Sequence, residues 1–252
     1  MTKSMSVGTI ITFHKEGVFA HAALRSYALA RRIAAAEGVE VRFVLVLDDA
    51  DDETRRIVKT HPDLDGSERL VEVAVGDAAL ARNAGIAACD ADFICTLDGD
   101  DLISRRYFVD HYNAALSLDE NVILHPELVI SFGMYNAFNW QVDQAGPYFD
   151  RNSMLTINPW ISAAFARRKV FEQTPYAPCF PMTTGFGYED WYWNCETIAK
   201  ENEHRLAWGT AYFYRRKFSG SVNETSRSLN VVMPKTRLFE HSSLSQGSQD
   251  EI

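Results

Sequence analysis

The sequence predicts an α/β fold: a Rossmann-like, mostly parallel sheet with helices on both faces, in one domain of a 252-residue chain. Three observations predict it. Apolar, β-branched runs alternate with stretches of helical periodicity through the first hundred residues, the rhythm of strands joined by crossover helices. Those runs are continuously apolar, as strands covered on both faces must be. Polar clusters follow three of the runs directly, at the carboxyl ends of the strands, where open α/β sheets bind their ligands.

Val7 to Phe13 reads as the first strand, and His14 to Gly17 breaks it. From Val18 to Glu37 apolar residues recur at helical spacing (Ala22, Ala23, Leu24, Tyr27, Ala30, Ile33, Ala34), with Gly38 at the expected stop. Val39 to Leu47 is the second strand and runs into Asp48, Asp49, Asp51 and Asp52. Asp51 to Lys59 opens a helix with acids in its first turn. Leu70 to Val75 is a strand, Leu80 to Ala88 a helix, and Phe93 to Leu97 a strand ending at Asp98. Leu124 to Asn158 is aromatic-rich and strand-like, with turn signals at Asp143 to Pro147. Trp160 to Glu172 reads as a strand leading into a short helix, Thr174 to Gly187 as a loop, Glu189 to Asn202 as a helix, and Ala207 to Lys217 as a strand. Residues 1–240 form the expected domain, and 241–252 read as a disordered tail.

The net charge of -9 argues against a nucleic-acid partner, which needs a basic surface. Two short basic clusters, Arg167 to Lys169 and Arg215 to Lys217, suit a small anion better. Cys89, Cys95, Cys179 and Cys195 show no metal-site spacing and read as reduced thiols. The first apolar run is too short for a signal peptide or a membrane span, so the expected location is cytoplasmic.

Leu97-Asp98-Gly99-Asp100-Asp101 carries the strongest chemical signal. On an extended chain Asp98 and Asp100 face the same way. Bare carboxylates about 4 Å apart repel by about 4 kcal/mol at an effective dielectric near 20, which calls for a hard divalent cation such as Mg2+ or Mn2+. A solvated turn or a helix cap is the plainer alternative. Arg82 carries a planar donor fork suited to a diphosphate or to one of the acids, or is an ordinary surface arginine. Glu189-Asp190, flanked by aromatics at a loop-to-helix junction, provides either a general base in a partly dry pocket or a helix cap. The aromatics from Tyr176 to Trp193 either shape an acceptor pocket or fill the core.

The run ARNAGIAACDADFICTLDGDD resembles the RN-x-G…A-x-G-x-[YF]-[IL]-x-x-LD-x-DD signature of family 2 glycosyltransferases, which have the GT-A fold. VGTIITFHKEG is similar to their first strand, VRFVLVLDDADDET to their V-x-V-V-D-D-x-S-x-D segment, GFGYEDWYWN to their G-x-x-x-ED-W-[DE] motif, and FYRRKFSGSVN to their late Y-R-x-H-x-x-S-x-S segment. The matches run in order from about residue 7 to 223. The resemblance implies an inverting, metal-dependent transfer of a sugar from a nucleotide-diphospho-sugar, most commonly a UDP-sugar, to a saccharide or lipid-linked acceptor. It implies work in polysaccharide or glycoconjugate synthesis, with peripheral membrane association at the inner face. It divides the domain into a donor-binding half, about 1–120, and an acceptor-binding half, about 121–240.

Residue by residue, the resemblance implies that Thr12, Asp49, Asp48 and Glu16 bind the nucleobase and ribose, with Arg82 near the base or diphosphate. Asp98 would contact the ribose or the metal and Asp100 would ligate the metal. Asp190 would be the catalytic base with Glu189 beside it, and Arg215 and Arg216 would steady the diphosphate. Three departures stand out: Ile11 replaces the usual proline before Thr12, Asp48-Asp49-Ala50-Asp51 lacks the glycine and serine, and Lys217 stands where many relatives have histidine. Protonated lysine cannot ligate an ion but can offset diphosphate charge, which points to a weaker metal dependence. A sugar nucleotidyltransferase and a non-catalytic carbohydrate-binding module are the alternative readings.

Overall fold

The computed structural model describes residues 5–217 and 228–240. The expected tail at 241–252 and the Phe218 to Asn223 end of the last motif lie outside the described residues.

The first half alternates as expected: β1 (Ser6–Phe13), α1 (Phe19–Ala36), β2 (Glu40–Asp48), α2 (Asp52–Thr60), β3 (Arg69–Val73), α3 (Ala78–Ala88) and β4 (Phe93–Asp98). Then come β5 (Leu102–Ile103), α4 (Tyr107–Ser117), β6 (Val122–Gly133), β7 (Ala137–Trp140), β8 (Phe165–Arg167), α5 (Arg168–Gln173), α6 (Pro181–Thr184), α7 (Glu189–Ala199) and β9 (Glu203–Arg216). Together the strands form one sheet in the order β3-β2-β1-β4-β8-β6-β9-β5, with β7 on β6. Strands β3, β2, β1 and β4 are parallel. Beyond them β8 is antiparallel to both neighbours, and β6 and β9 run parallel through a bulge between Pro126 and Leu128. The sheet is continuous across residue 120, so the two expected halves share one scaffold.

Both faces are covered. On one, Val7, Ile11 and Phe13 of β1 and Phe93, Cys95 and Leu97 of β4 pack with Leu24 and Tyr27 of α1, Val58 of α2 and Tyr107 and Phe108 of α4. On the other, Ile10, Val44, Val46 and Ile94 pack with Ala81 and Ile86 of α3, Val170 and Phe171 of α5 and Trp193 of α7. The two-residue period of a strand therefore sets which helices each strand-end side chain meets. Asp98 follows Ile94 in that period and emerges on the face of α3 and α7. Gly85 lets α3 lie close to the sheet: a Cβ there would stand 2.4 Å from Ile10 Cγ2 and 2.7 Å from Val46 Cγ2.

Capping sets the helix starts. Asp51 Oδ1 accepts from the Thr54 amide at 2.8 Å, and Asp77 Oδ1 from the Leu80 amide at 3.1 Å. Gly38, at φ 79°, terminates α1 as expected. Helix α4, which the periodicity did not announce, fills one face with Tyr107, Phe108, His111 and Tyr112. Residues 141–164, expected to continue as strands in part, are irregular apart from a short 3-10 turn at Arg151–Leu155.

Candidate active site

The carboxyl ends of β1, β2 and β4 come together. Thr12 lies opposite Asp98 in the β1–β4 register. His14 Nδ1 lies 2.6 Å from the Asp48 carbonyl oxygen, and the Asp51 amide donates to the His14 carbonyl at 3.1 Å. The DGDD turn closes over this end. Gly99 is required there, since a Cβ would stand 2.4 Å from Phe13 Cδ1 and 2.6 Å from the Thr12 carbonyl oxygen.

Arg82 is the hinge pin of the site rather than a surface residue. It is 4% exposed. Its Nη2 donates to Asp98 Oδ1 at 3.0 Å and its Nη1 to Glu189 Oε1 at 2.8 Å, while the guanidinium lies 5.5 Å from the Tyr176 ring. Burial opposes its charge, but Asp98 and Glu189 outweigh that and hold its pKa well above the ordinary value. One planar fork thus ties α3, β4 and α7 together. Asp98 is completed by Ser162, whose Oγ donates to Oδ2 at 2.9 Å, and by Tyr27, whose hydroxyl donates to its carbonyl at 2.7 Å.

Asp100 and Asp101 turn the other way, toward the end of β9. Lys217 Nζ sits 2.6 Å from Asp100 Oδ2, with the two side chains 17% and 12% exposed. Arg215 Nε donates to the Asp100 carbonyl at 2.8 Å, and its guanidinium lies between the rings of Phe19 and Phe132, 4.5 and 4.6 Å from their centroids. Asp101 is buried and accepts from the Tyr212 hydroxyl at 2.9 Å and the Arg215 amide at 2.6 Å. Burial and the neighbouring Asp100 push its carboxyl well above the usual range, which makes Asp101 an anchor of the turn. Glu16 faces the same cluster, with Oε2 accepting from the His14 amide at 2.5 Å. Burial raises its pKa to about 7.

Glu189 and Asp190 occupy the first turn of α7, entered through Tyr188 at φ 63°. Neither is the cap residue. Asp190 is partly exposed, and Asn158 Nδ2 donates to its Oδ2 at 3.1 Å. Asn158 is itself held by Asn194 Nδ2, which donates to its Oδ1 at 3.0 Å. Burial, then the adjacent Glu189, raises the Asp190 pKa to about 7. That is where a general base must sit to be deprotonated yet basic near neutrality.

Not every expected residue joins this constellation. Asp48 spends Oδ1 on the amides of Val75 and Gly76, at 2.8 and 3.1 Å, and so shapes the loop after β3. Asp49 is exposed at φ 50° beyond β2. Arg216 turns to Ser131 Oγ and the rings of Tyr214 and Tyr135, away from Asp100. The aromatic segment divides: Tyr176 and Trp193 stack in the core, against the pocket reading, whereas Phe180 and Phe186 are exposed. In the Arg167 to Lys169 cluster, Arg168 pairs with Glu172 and Lys169 with Glu120. All four cysteines are free and buried. Asn158 and Ser162 were not foreseen, since they lie in an irregular loop with no periodicity to flag them.

The expected divalent ion finds a poor donor set. Asp98 and Asp100 do not share a ligand, because the chain turns at Gly99 instead of staying extended. Asp98 is taken by Arg82 and Asp100 by Lys217. A divalent ion on Asp100 would have the Lys217 ammonium, already seated on the same carboxylate, as a like-charged neighbour. Among the described residues no group of three or more His, Cys, Asp or Glu side chains is arranged to hold a metal.

Fold and site together define a GT-A-type α/β protein with an acidic strand-end turn clamped to a helix bearing a Glu-Asp pair. The profile of glycosyl transferase family 2 matches residues 9–174. The chain belongs to glycosyl transferase family 2. Its structure is similar to that of Staphylococcus aureus TarS: a 1–349 fragment in complex with UDP-GlcNAc superposes with a TM-score of 0.65 at 15% identity, over 87% of this chain and 61% of that one. The same fragment with UDP gives 0.62 at 15% identity, over 89% and 64%, and TarS itself 0.60 at 17%, over 84% and 37%. The chain thus spans less than two thirds of these structures. No curated protein sequence matches it. No helix among the described residues is long and apolar enough to cross a membrane.

Proposed function

We propose that the protein transfers a sugar, with inversion, from a nucleotide-diphospho-sugar to an acceptor hydroxyl, with Asp190 as the general base. The observation that carries this reading is the placement of Asp190: its carboxylate, with a pKa near 7, is oriented by Asn158 and adjoins Glu189, which Arg82 ties to the strand-end turn. In the transfer Asp190 takes the acceptor proton and the acceptor oxygen forms a bond to the anomeric carbon from the face opposite the diphosphate. The bond from that carbon to the diphosphate oxygen breaks, and the nucleotide leaves with the electron pair. On this reading Thr12, Glu16 and Asp98 line the donor end, and Arg215, held beside the turn, lies on the side of the departing charge. The TarS structures were obtained with UDP-GlcNAc and UDP, which favours a uridine diphosphate carrier here as well.

The test is release of nucleoside diphosphate from a panel of nucleotide sugars. A transferase releases it slowly by hydrolysis and faster with a suitable acceptor; no release from any member of the panel contradicts the reading.

A further inference from the structure

We propose that the positive charge facing the leaving diphosphate is Lys217, seated on Asp100, and that the site works without a divalent ion. This rests on the donor reading above and concerns how that site neutralises its substrate.

Each aspartate of the turn, Asp98 and Asp100, already has a cation from the chain. Arg82 holds Asp98 at 3.0 Å and Lys217 holds Asp100 at 2.6 Å, and neither pair lies open in solvent. The charge that a hard ion would bring between the two carboxylates is therefore delivered separately to each. The arrangement is also supported from outside the pair. Arg215, two residues before Lys217, is fixed between Phe19 and Phe132 and bonded to the Asp100 carbonyl. Asp101 anchors the same stretch of β9 through the Arg215 amide and the Tyr212 hydroxyl. The end of β9 is thus pinned to the turn at three residues, which holds the ammonium at one place.

The chemistry fits an anionic leaving group. An ammonium has three donors, so Lys217 can keep Asp100 and still donate to phosphate oxygens. Arg215 adds a second cation on the same side of the turn. Asp100 is then a positioning residue for Lys217 instead of a metal ligand. A cation built into the chain and held by a buried partner is in place before the donor arrives, as electrostatic stabilisation of a leaving group requires.

The test is calorimetric titration with UDP, dTDP and GDP in EDTA and in MnCl2, together with the electron paramagnetic resonance of Mn2+ added to the protein alone. The proposal expects one of these nucleotides to bind in EDTA, with an affinity that Mn2+ changes by less than about threefold, and a Mn2+ spectrum like that of the free ion. Lys217→Ala should weaken that binding in EDTA by about tenfold or more, the loss of one charge-assisted hydrogen bond, in a variant that melts lower because Asp100 loses its partner but is still folded at the titration temperature. Lys217→Arg should retain it within about threefold. Should Lys217→Ala fail to fold, the EDTA comparison on the unaltered chain decides alone. Binding that appears only with Mn2+, or a folded Lys217→Ala variant that binds normally in EDTA, overturns the proposal and leaves the donor reading intact. Failure of all three nucleotides in both solutions removes the donor reading and this proposal with it.

Discussion

Arg82→Met removes the fork but keeps most of the side-chain volume, so it isolates the ionic clamp from packing. In the unaltered chain Arg82 neutralises Asp98 and Glu189 at 3.0 and 2.8 Å in a site where Arg82 itself is 4% exposed. Removing one partner of a buried pair leaves an uncompensated charge and costs about 3–5 kcal/mol. Here two carboxylates are left. Asp98 retains the Ser162 hydroxyl and some solvent, so the middle of that range, about 4 kcal/mol, is the expected loss. For a chain of this size each kcal/mol shifts the melting temperature by about 2–4 °C, which gives a fall of roughly 8–16 °C. The assay is thermal unfolding followed by calorimetry at pH 8. Adding Glu189→Gln should recover part of it. A variant within about 2 °C of the parent at pH 8 would refute the clamp.

Other predictions follow from the same geometry. The pKa of Asp190 is raised to about 7 from its ordinary 3.8, so the folded state disfavours its ionised form. Its contribution to stability is therefore largest below pH 4 and is lost as pH rises through 7; Asp190→Asn should melt higher than the parent at pH 8, with the gap closing toward pH 4. Transfer should follow the opposite course, rising through pH 7 and levelling above it in a pH–rate profile. Asn158→Ala should lower kcat by about tenfold or more with donor KM little changed, because the lost hydrogen bond orients the base and not the donor. Gly99→Ala should destabilise the fold by about 1–3 kcal/mol in urea unfolding, since its Cβ would press on the Thr12 carbonyl and the Phe13 ring.

The first half of the fold is legible because its chemistry is local. Ile10, Val44, Val46 and Ile94 sit in continuous apolar runs, and Asp51 and Gly38 mark helix boundaries by their own side chain or its absence. Helix α4 is illegible for the complementary reason: it buries Tyr107, Phe108, Val109, His111 and Tyr112, a mixed set without a clean apolar stripe. Strand β6 carries Pro126, ordinarily a sign against a strand, and accommodates it at a bulge. In the site, the strand-end position of Asp98 follows from the run before it, but its pairing with Arg82 is a tertiary event across 16 residues, and that of Arg82 with Glu189 spans 107. Asp98 and Asp100 do not share one partner as an extended chain would let them, because the turn at Gly99 leaves Asp98 with Arg82 and Asp100 with Lys217.

The most direct test of the central claim is single-turnover release of nucleoside diphosphate by the parent and by Asp190→Asn, with the nucleotide sugar that the parent turns over. With Asp190 as the base, donor affinity stays unchanged and the rate falls at least about a hundredfold in the variant, the usual contribution of a positioned base. Equal rates in the two proteins would contradict that role.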